Sequence, residues 1–324
     1  MRFCKIGIIS VAILLSMQKA NGQTDFPMSV LTSSPAQLNP ASTGLFNDVF
    51  RIHSYFKSQL AQSLTGGIKS TGIAVDYNFS EAKMGLGLAI FSKSVDRSAL
   101  RDFNLLLSYG YRVDLNEWGL ISLGVQGGFK QVGFSTERLY FGSQYDPSYK
   151  GGFDPNRLPP DLPYGNINSL DASVGVYWQN YLGTFFSLRT GFAAFHLIPK
   201  RTNFMIDEVY LLPKYVFTAQ GRYEGDLLHW IPAAMLVSQS DRTYAEIGLT
   251  AQLRDAERFL NAGVFYRSPN VIIPTIGIGL DKLSLNLSLE YFFGTNFSKI
   301  FNIGISYFPQ TNREVSVIRD FLDI

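Results

Sequence analysis

The three histidines, His53, His196 and His229, are the side chains best suited to moving protons near neutral pH. None sits in an H-E-x-x-H pair, and no G-x-S-x-G elbow supplies a nucleophile. His53, with an acidic neighbour near a barrel rim, is the one arrangement that would suit hydrolysis. Gly85 and Gly87 lack a third glycine and a following helix, so they make no nucleotide fingerprint. Cys4 is the single cysteine, which excludes a disulfide framework and a thiolate metal cluster. Asp146, Asp154, Asn156 and Asp161 offer oxygen ligands for calcium, but their spacing matches no known loop. The chain therefore reads as a non-enzyme, with no catalytic residue, no cofactor and no metal ligand expected.

Charges at regular positions carry more information. Arg51, Lys57, Asp76, Asp102, Arg112, Lys130, Asp171, Arg189 and Arg222 all fall on the polar face of an alternating segment. Facing lipid they would be costly, so they are expected to line a lumen. They would form either a selectivity lining for a pore or a set of mixed-sign pairs filling a closed interior. Both signs occur on neighbouring segments, which favours packing.

The elements that must position them alternate with period two over eight to eleven residues, and do not coil. Met84, Leu86, Leu88 and Ile90 share one face, with Gly85, Gly87 and Ala89 on the other. Ile121, Leu123, Val125 and Phe129 oppose Ser122, Gly124, Gln126 and Gly128. Phe301, Ile303, Ile305 and Tyr307 do the same against Asn302, Gly304 and Ser306. Fourteen such runs span 49–308. Their polar faces are Gly, Ser, Asn and Gln with isolated charges, unlike a water-exposed sheet. Charged residues are only 17% of the chain and aromatics 14%. Connections alternate: 80–83, 114–116, 180–183, 254–258 and 281–282 are short, while 58–70, 134–168 and 196–213 are long. Tyr77, Phe79, Tyr109, Tyr111, Trp118, Trp178, Tyr181, Tyr291, Phe292 and Phe293 cluster at strand ends, as interfacial girdles require. The pattern predicts an all-β, transmembrane antiparallel β-barrel of about fourteen strands in the outer membrane, in contact with its lipid. Such a barrel encloses more space than its own side chains fill, so a loop or the N-terminal segment is expected inside.

The ends fit export. Arg2 and Lys5 precede an apolar run from Ile6 to Met17, and Ala20-Asn21-Gly22 supplies small residues before Gln23. Residues 1–22 read as a cleaved signal peptide, too short to span a membrane. Removing it leaves 25 basic against 26 acidic residues, no basis for a nucleic-acid surface. Residues 23–48 are expected as a periplasmic or lumenal segment and 309–324 as a periplasmic tail. In that tail Val315, Ile318, Phe321 and Leu322 could share a helix face.

Several motifs then fall in a familiar order. Asn39-Pro40-Ala41-Ser42-Thr43-Gly44 is followed by Arg51, Tyr55 and Gln59, Gly85-Leu86-Gly87-Leu88 and Ser108-Tyr109-Gly110-Tyr111. Ile121 to Gly128, Pro213-Lys214-Tyr215, Gly221-Arg222-Tyr223, Ile231 to Leu236 and Gly263-Val264-Phe265-Tyr266-Arg267 complete the series. Together they resemble the PorP/SprF family of the type IX secretion system, over nearly all of the chain after its first twenty-two residues. The chain departs from the family at Asp25-Phe26-Pro27 and at Phe293-Gly294-Thr295-Asn296, and it runs sixteen residues past Phe308. The resemblance implies a non-catalytic, structural or anchoring barrel that supports secretion, gliding or surface attachment. Its implied partners are secreted cargo with a C-terminal sorting domain and periplasmic lipoproteins of the machine. The alternative is a diffusion channel for small or apolar solutes.

Two segments are the candidate partner contacts. Asn39, Pro40, Ala41 and Gly44 would form a plug or a docking motif, or simply a turn. Tyr140, Phe141, Tyr145, Tyr149, Phe153 and Tyr164 populate the longest loop, which would recognise a partner, plug the lumen or be disordered.

Overall fold

The computed structural model describes residues 34–60, 67–95, 100–115, 119–134, 141–154, 156–157, 165–198, 200–202, 209–255, 258–280, 282–293 and 299–308. The expected signal at 1–22 and tail at 309–324 lie outside the described residues.

Alternating apolar and small or polar residues build the strands β1 (Phe50–Leu60), β2 (Ile68–Phe79), β3 (Met84–Val95), β4 (Leu100–Asp114), β5 (Gly119–Phe134), β6 (Gly165–Tyr181) and β7 (Phe186–Phe195). After β8 (Lys200–Thr202) and β9 (Val209–Leu211) come β10 (Lys214–Glu224), β11 (Leu228–Gln239), β12 (Arg242–Asp255), β13 (Arg258–Arg267), β14 (Val271–Leu280), β15 (Leu283–Phe292) and β16 (Lys299–Tyr307). Fourteen of them form a closed antiparallel barrel in which β1 pairs with both β2 and β16. Closure leaves no free ladder in lipid, where an unpaired backbone group costs several kcal/mol.

The pleat sorts side chains into two environments. In β14, Val271, Ile273, Thr275, Gly277 and Gly279 are buried, whereas Pro274, Ile276, Ile278 and Leu280 are exposed. Leu107 and Ile247 are 64% and 63% exposed on the outer wall. Such a belt is untenable in water and is what hydrocarbon accepts, at about 1.5–3 kcal/mol per large side chain. Tyr77, Tyr109, Tyr111, Trp178 and Tyr291 are exposed near strand ends. At the end where β2, β4, β6, β10, β12 and β14 turn back, no connection exceeds four residues. At the other end lie 135–164 and 196–213.

The structure differs from the sequence reading in three places. The 196–213 connection carries the two-stranded sheet of β8 and β9, whose three-residue strands are too short to show alternation. β6 starts at Gly165 and not near 169, because Gly165-Asn166-Ile167-Asn168-Ser169 has too few apolar residues to register. β1 reaches Leu60 and β2 starts at Ile68, which shortens the expected 58–70 connection.

Candidate functional site: an occupied lumen

Residues 34–49 enter the barrel ahead of β1. Pro35–Leu38 is one helical turn and Pro40–Ser42 a 3-10 turn, each opened by a proline whose missing N–H costs nothing there. Asn39 between them is extended, as a residue before proline prefers. Its Oδ1 accepts from the Ala41 N–H at 2.9 Å. Its Nδ2 donates to the Val176 and Phe192 carbonyls at 3.0 and 3.2 Å, tying the turn to β6 and β7. Ser122 Oγ donates to the Ala41 carbonyl at 2.7 Å, and Asn78 Nδ2 to the Phe46 carbonyl at 2.6 Å. Asn39, Pro40, Ala41, Ser42 and Thr43 are all buried.

The seat for this turn is a row of glycines. Gly85, Gly110, Gly124 and Gly175 are successive register partners across β3, β4, β5 and β6. A Cβ at Gly85 would lie 2.5 Å from Gly44 Cα, and one at Gly110 2.4 Å from the Thr43 oxygen. One at Gly124 would lie 2.2 Å from the Ala41 nitrogen, and one at Gly175 1.9 Å from Asn39 Oδ1. The missing side chains are the space that the turn occupies. Gly44 itself has φ of 69°, a left-handed geometry that glycine adopts freely.

The segment also reaches the opposite wall. Leu38 joins a buried cluster with Ala193 and Phe195 of β7, Val216 of β10 and Met235 and Val237 of β11. Gln37 Nε2 donates to the Tyr55 hydroxyl of β1 at 3.0 Å. Phe46 packs edge-on against Phe308 beyond β16, with centroids 6.3 Å apart. Asn39→Ala removes both donors to the β6 and β7 carbonyls and is expected to weaken seating by about 2 kcal/mol. Limited proteolysis of the folded barrel checks this, as faster cleavage within 34–48. Asn39→Asp, which keeps the acceptor for Ala41 but not the donors, should behave similarly.

Two pairs form among the expected lumen charges, and the others meet polar side chains outside that set. Arg51 meets Asp76, its register partner, and its guanidinium lies 4.6 Å from the Phe46 ring centroid. Lys130 meets Asp102 at 2.9 Å, Arg112 meets Asp114 at 3.0 Å, and Asp171 meets His196 at 2.7 Å. Arg189 donates twice to Gln179 Oε1, at 3.0 and 2.5 Å. Arg222 reaches Gln252 at 3.2 Å and Glu224 at 3.5 Å. Asp102 and Arg112 are half-buried; the other six are buried.

The strongest cluster was not among the candidates. Arg267 grips Glu246 Oε2 with Nε and Nη2 at 2.9 and 2.8 Å, and reaches Glu290 Oε2 with Nη1 at 2.6 Å. Lys57 Nζ meets Glu290 Oε1 at 2.8 Å, where Asn302 Nδ2 also donates at 3.1 Å. Lys57 was expected to face the lumen; Glu246, Arg267 and Glu290 were missed. Their inward parity, opposite the exposed Ile247, Tyr266 and Leu289, was the available signal. Of the histidines, His53 sits 2.9 Å from Ser306 Oγ across the β1–β16 seam, and His229 is on β11, apart from both others.

In the longest loop, Tyr145 and Phe153 bridge across a short turn, with Tyr145 69% exposed and Tyr149 also exposed. Phe141 precedes the 3-10 turn Gly142–Gln144 and is half-buried, its N–H donating to Gln144 Oε1 at 2.8 Å. Asp146 accepts from the Ser148 hydroxyl and backbone and pairs with Arg157 at 2.9 Å. Those hydrogen bonds, Ser148's first, hold its carboxyl below the usual carboxylate range. Asp154 accepts from the Asn156 backbone at 2.9 Å. Both carboxylates are thus turned into their own loop. Among the described residues no three His, Cys, Asp or Glu side chains gather to hold a metal. Tyr140, Asp161 and Tyr164 lie outside the described residues.

The chain is similar in fold to a TodX deltaS2S3 mutant, a monoaromatic hydrocarbon channel, with 8% identity, TM-score 0.51, and coverage of 86% of this chain and 95% of that one. The toluene transporter TodX of Pseudomonas putida gives 10%, TM-score 0.48, and coverage of 86% and 94%. The translocator domain of the Neisseria meningitidis autotransporter NalP gives 11%, TM-score 0.43, and coverage of 84% and 93%. No curated protein matches the sequence. The family profile described as type IX secretion system membrane protein PorP/SprF matches residues 20–312. The chain therefore belongs to the PorP/SprF family of type IX secretion system membrane proteins.

Proposed function

We propose that this outer-membrane barrel is a non-catalytic anchoring component of type IX secretion, holding secreted cargo with C-terminal sorting domains at the cell surface. The observation that carries the reading is the buried segment 34–48, seated on the glycine row and joined to walls on both sides of the lumen. An interior so filled suits a scaffold better than a solute channel. The mixed-sign pairs act in the same direction, because paired charges give no net field to select an ion. In this reading residues 1–22 are a cleaved export signal, and 309–324 form a periplasmic tail beside the machine's lipoproteins. The exposed aromatics Tyr145 and Tyr149, with Phe141, Phe153, Tyr140 and Tyr164 of the same loop, contact the partner outside. Asn39, Pro40, Ala41 and Gly44 are buried, so a partner reaches them only after the segment leaves its seat.

Deleting the gene is expected to strip sorting-domain cargo from the cell surface, read by surface proteolysis and mass spectrometry. Unchanged display would overturn the reading. The purified barrel is expected to be silent in planar bilayers; steady single-channel conductance would favour the solute channel.

A further inference from the structure

A groove of about 410 Å³ crosses the outer wall at the short-turn end of the barrel, lined by Leu227 and residues 253–255, 258–260 and 278–280. Register explains its shape. Leu253, Leu260 and Ile278 are successive partners across β12, β13 and β14, and all three are exposed. Two residues nearer the turns, Asp255, Arg258 and Leu280 form the next exposed row. Between the rows stand Arg254, Phe259 and Gly279, which have inward parity. The Phe259 ring lies over Gly279, where a Cβ would be 2.0 Å from Phe259 Cε1. The outer face between the rows is therefore backbone, and it floors the trough. Leu227, whose carbonyl accepts from the Arg254 N–H at 3.0 Å, bounds the end beside β12.

The groove is apolar on one side and charged on the other, in the order of a membrane interface. Leu253, Leu260 and Ile278 lie toward the hydrocarbon belt, Asp255 and Arg258 toward the turns. Short turns of an outer-membrane barrel face the periplasm, so this level meets the periplasmic leaflet, which is phospholipid. The leucine row faces lipid, so a water-borne partner has no approach to it. The volume falls within the range of about 300–1,000 Å³ usual for small-molecule sites.

The charges narrow the headgroup. Asp255 and Arg258 are register partners, so opposite charges stand side by side on strands about 4.8 Å apart. A lone phosphate there would meet the carboxylate as well as the guanidinium. A headgroup with both charges sets each against its opposite. The guanidinium fork suits a phosphate, and an ammonium's three N–H groups suit a carboxylate. Arg254, the other cation of the lining, has inward parity and is half-buried.

We propose that this groove seats one phosphatidylethanolamine of the periplasmic leaflet. Its phosphate sits on Arg258, its ammonium on Asp255, and one acyl chain lies along Leu253, Leu260 and Ile278. The bound lipid fixes the depth of the β12–β13 hairpin at the interface. The proposal depends on the outer-membrane location and is independent of the anchoring reading.

The intact barrel in mild detergent is titrated with phosphatidylethanolamine, phosphatidylcholine and phosphatidylglycerol of identical acyl chains, and bound lipid is counted by native mass spectrometry. One phosphatidylethanolamine is expected to bind about tenfold more tightly than either other lipid. Choline has no N–H for Asp255, and glycerol has no positive charge. Arg258→Gln is expected to lower this affinity about tenfold. Asp255→Asn is expected to lower it too, and to erase the lead over phosphatidylglycerol. Arg242→Gln, at the other end of β12, is the control and should change nothing. Equal affinity for the three lipids, or an unaffected Arg258→Gln barrel, means ordinary annular lipid and overturns the proposal. A preference for phosphatidylglycerol that grows in Asp255→Asn also overturns it, since the groove would then be an anion site. The comparison of lipids needs only the wild-type chain, so it decides the matter even if a variant fails to fold.

Discussion

Arg267→Leu is expected to lower the stability of the barrel by about 3–5 kcal/mol, read as a large drop in the urea midpoint in lipid vesicles. The side chains of Glu246 and Glu290 are fully buried, and both depend on this guanidinium. It reaches them with three hydrogen bonds, a fork of two on Glu246 and a single bond to Glu290. Leucine would fill much of the volume but would take both bonds of the fork from the buried Glu246 carboxylate. The damage lies in the charge left behind, so Arg267→Leu with Glu246→Leu should recover much of the loss. Arg267→Lys should recover less than charge conservation suggests, because an ammonium cannot reproduce the fork. Lys57 and Asn302 bring β1 and β16 to the same Glu290, so the cluster also fastens the seam where the barrel closes. An unfolding free energy within about 0.5 kcal/mol of wild type would refute this account.

Gly124→Val is expected to expel the lumen segment. The first carbon of any side chain there would lie 2.2 Å from the Ala41 nitrogen and 2.3 Å from the Pro40 carbonyl carbon, both backbone atoms. Overpacking of this kind costs about 1–3 kcal/mol, comparable with the hydrogen bonds that hold the turn. The barrel's own ladders do not pass through that clash, so the wall should survive while the seat is lost. Two readouts follow: rapid proteolysis within 34–48, and the appearance of conductance in planar bilayers. Gly127→Val is the matched control. Gly127 is on the outer face of the same strand, and a Cβ there meets nothing within 4 Å. A Gly124→Val barrel as silent and protease-resistant as the Gly127→Val barrel would show that the turn does not depend on its glycine seat.

Much of this architecture can be read one strand at a time. Met84, Leu86 and Leu88 announce an outer face, and Arg51, Asp76 and Lys130 an inner one, because lipid does not accept them. What cannot be read that way is anything that depends on register. Gly85, Gly110, Gly124 and Gly175 are each unremarkable within their own strands, and become a seat only when four ladders align them. Glu246, Arg267 and Glu290 stand on β12, β13 and β15, and their meeting is likewise a product of strand order and offset. The turn at Asn39–Gly44 was legible as a turn, but nothing in its composition says that it lies inside.

The glycine row carries a consequence for how this sequence can drift over generations. Asn39 and Gly175 are far apart along the chain, yet Asn39 Oδ1 stands where a Gly175 side chain would begin. A side chain at Gly175 is tolerated only with a change at Asn39 that clears the space. The four glycines and the six residues from Asn39 to Gly44 therefore form one inherited unit. A descendant that lost the segment would be released to grow side chains at all four positions.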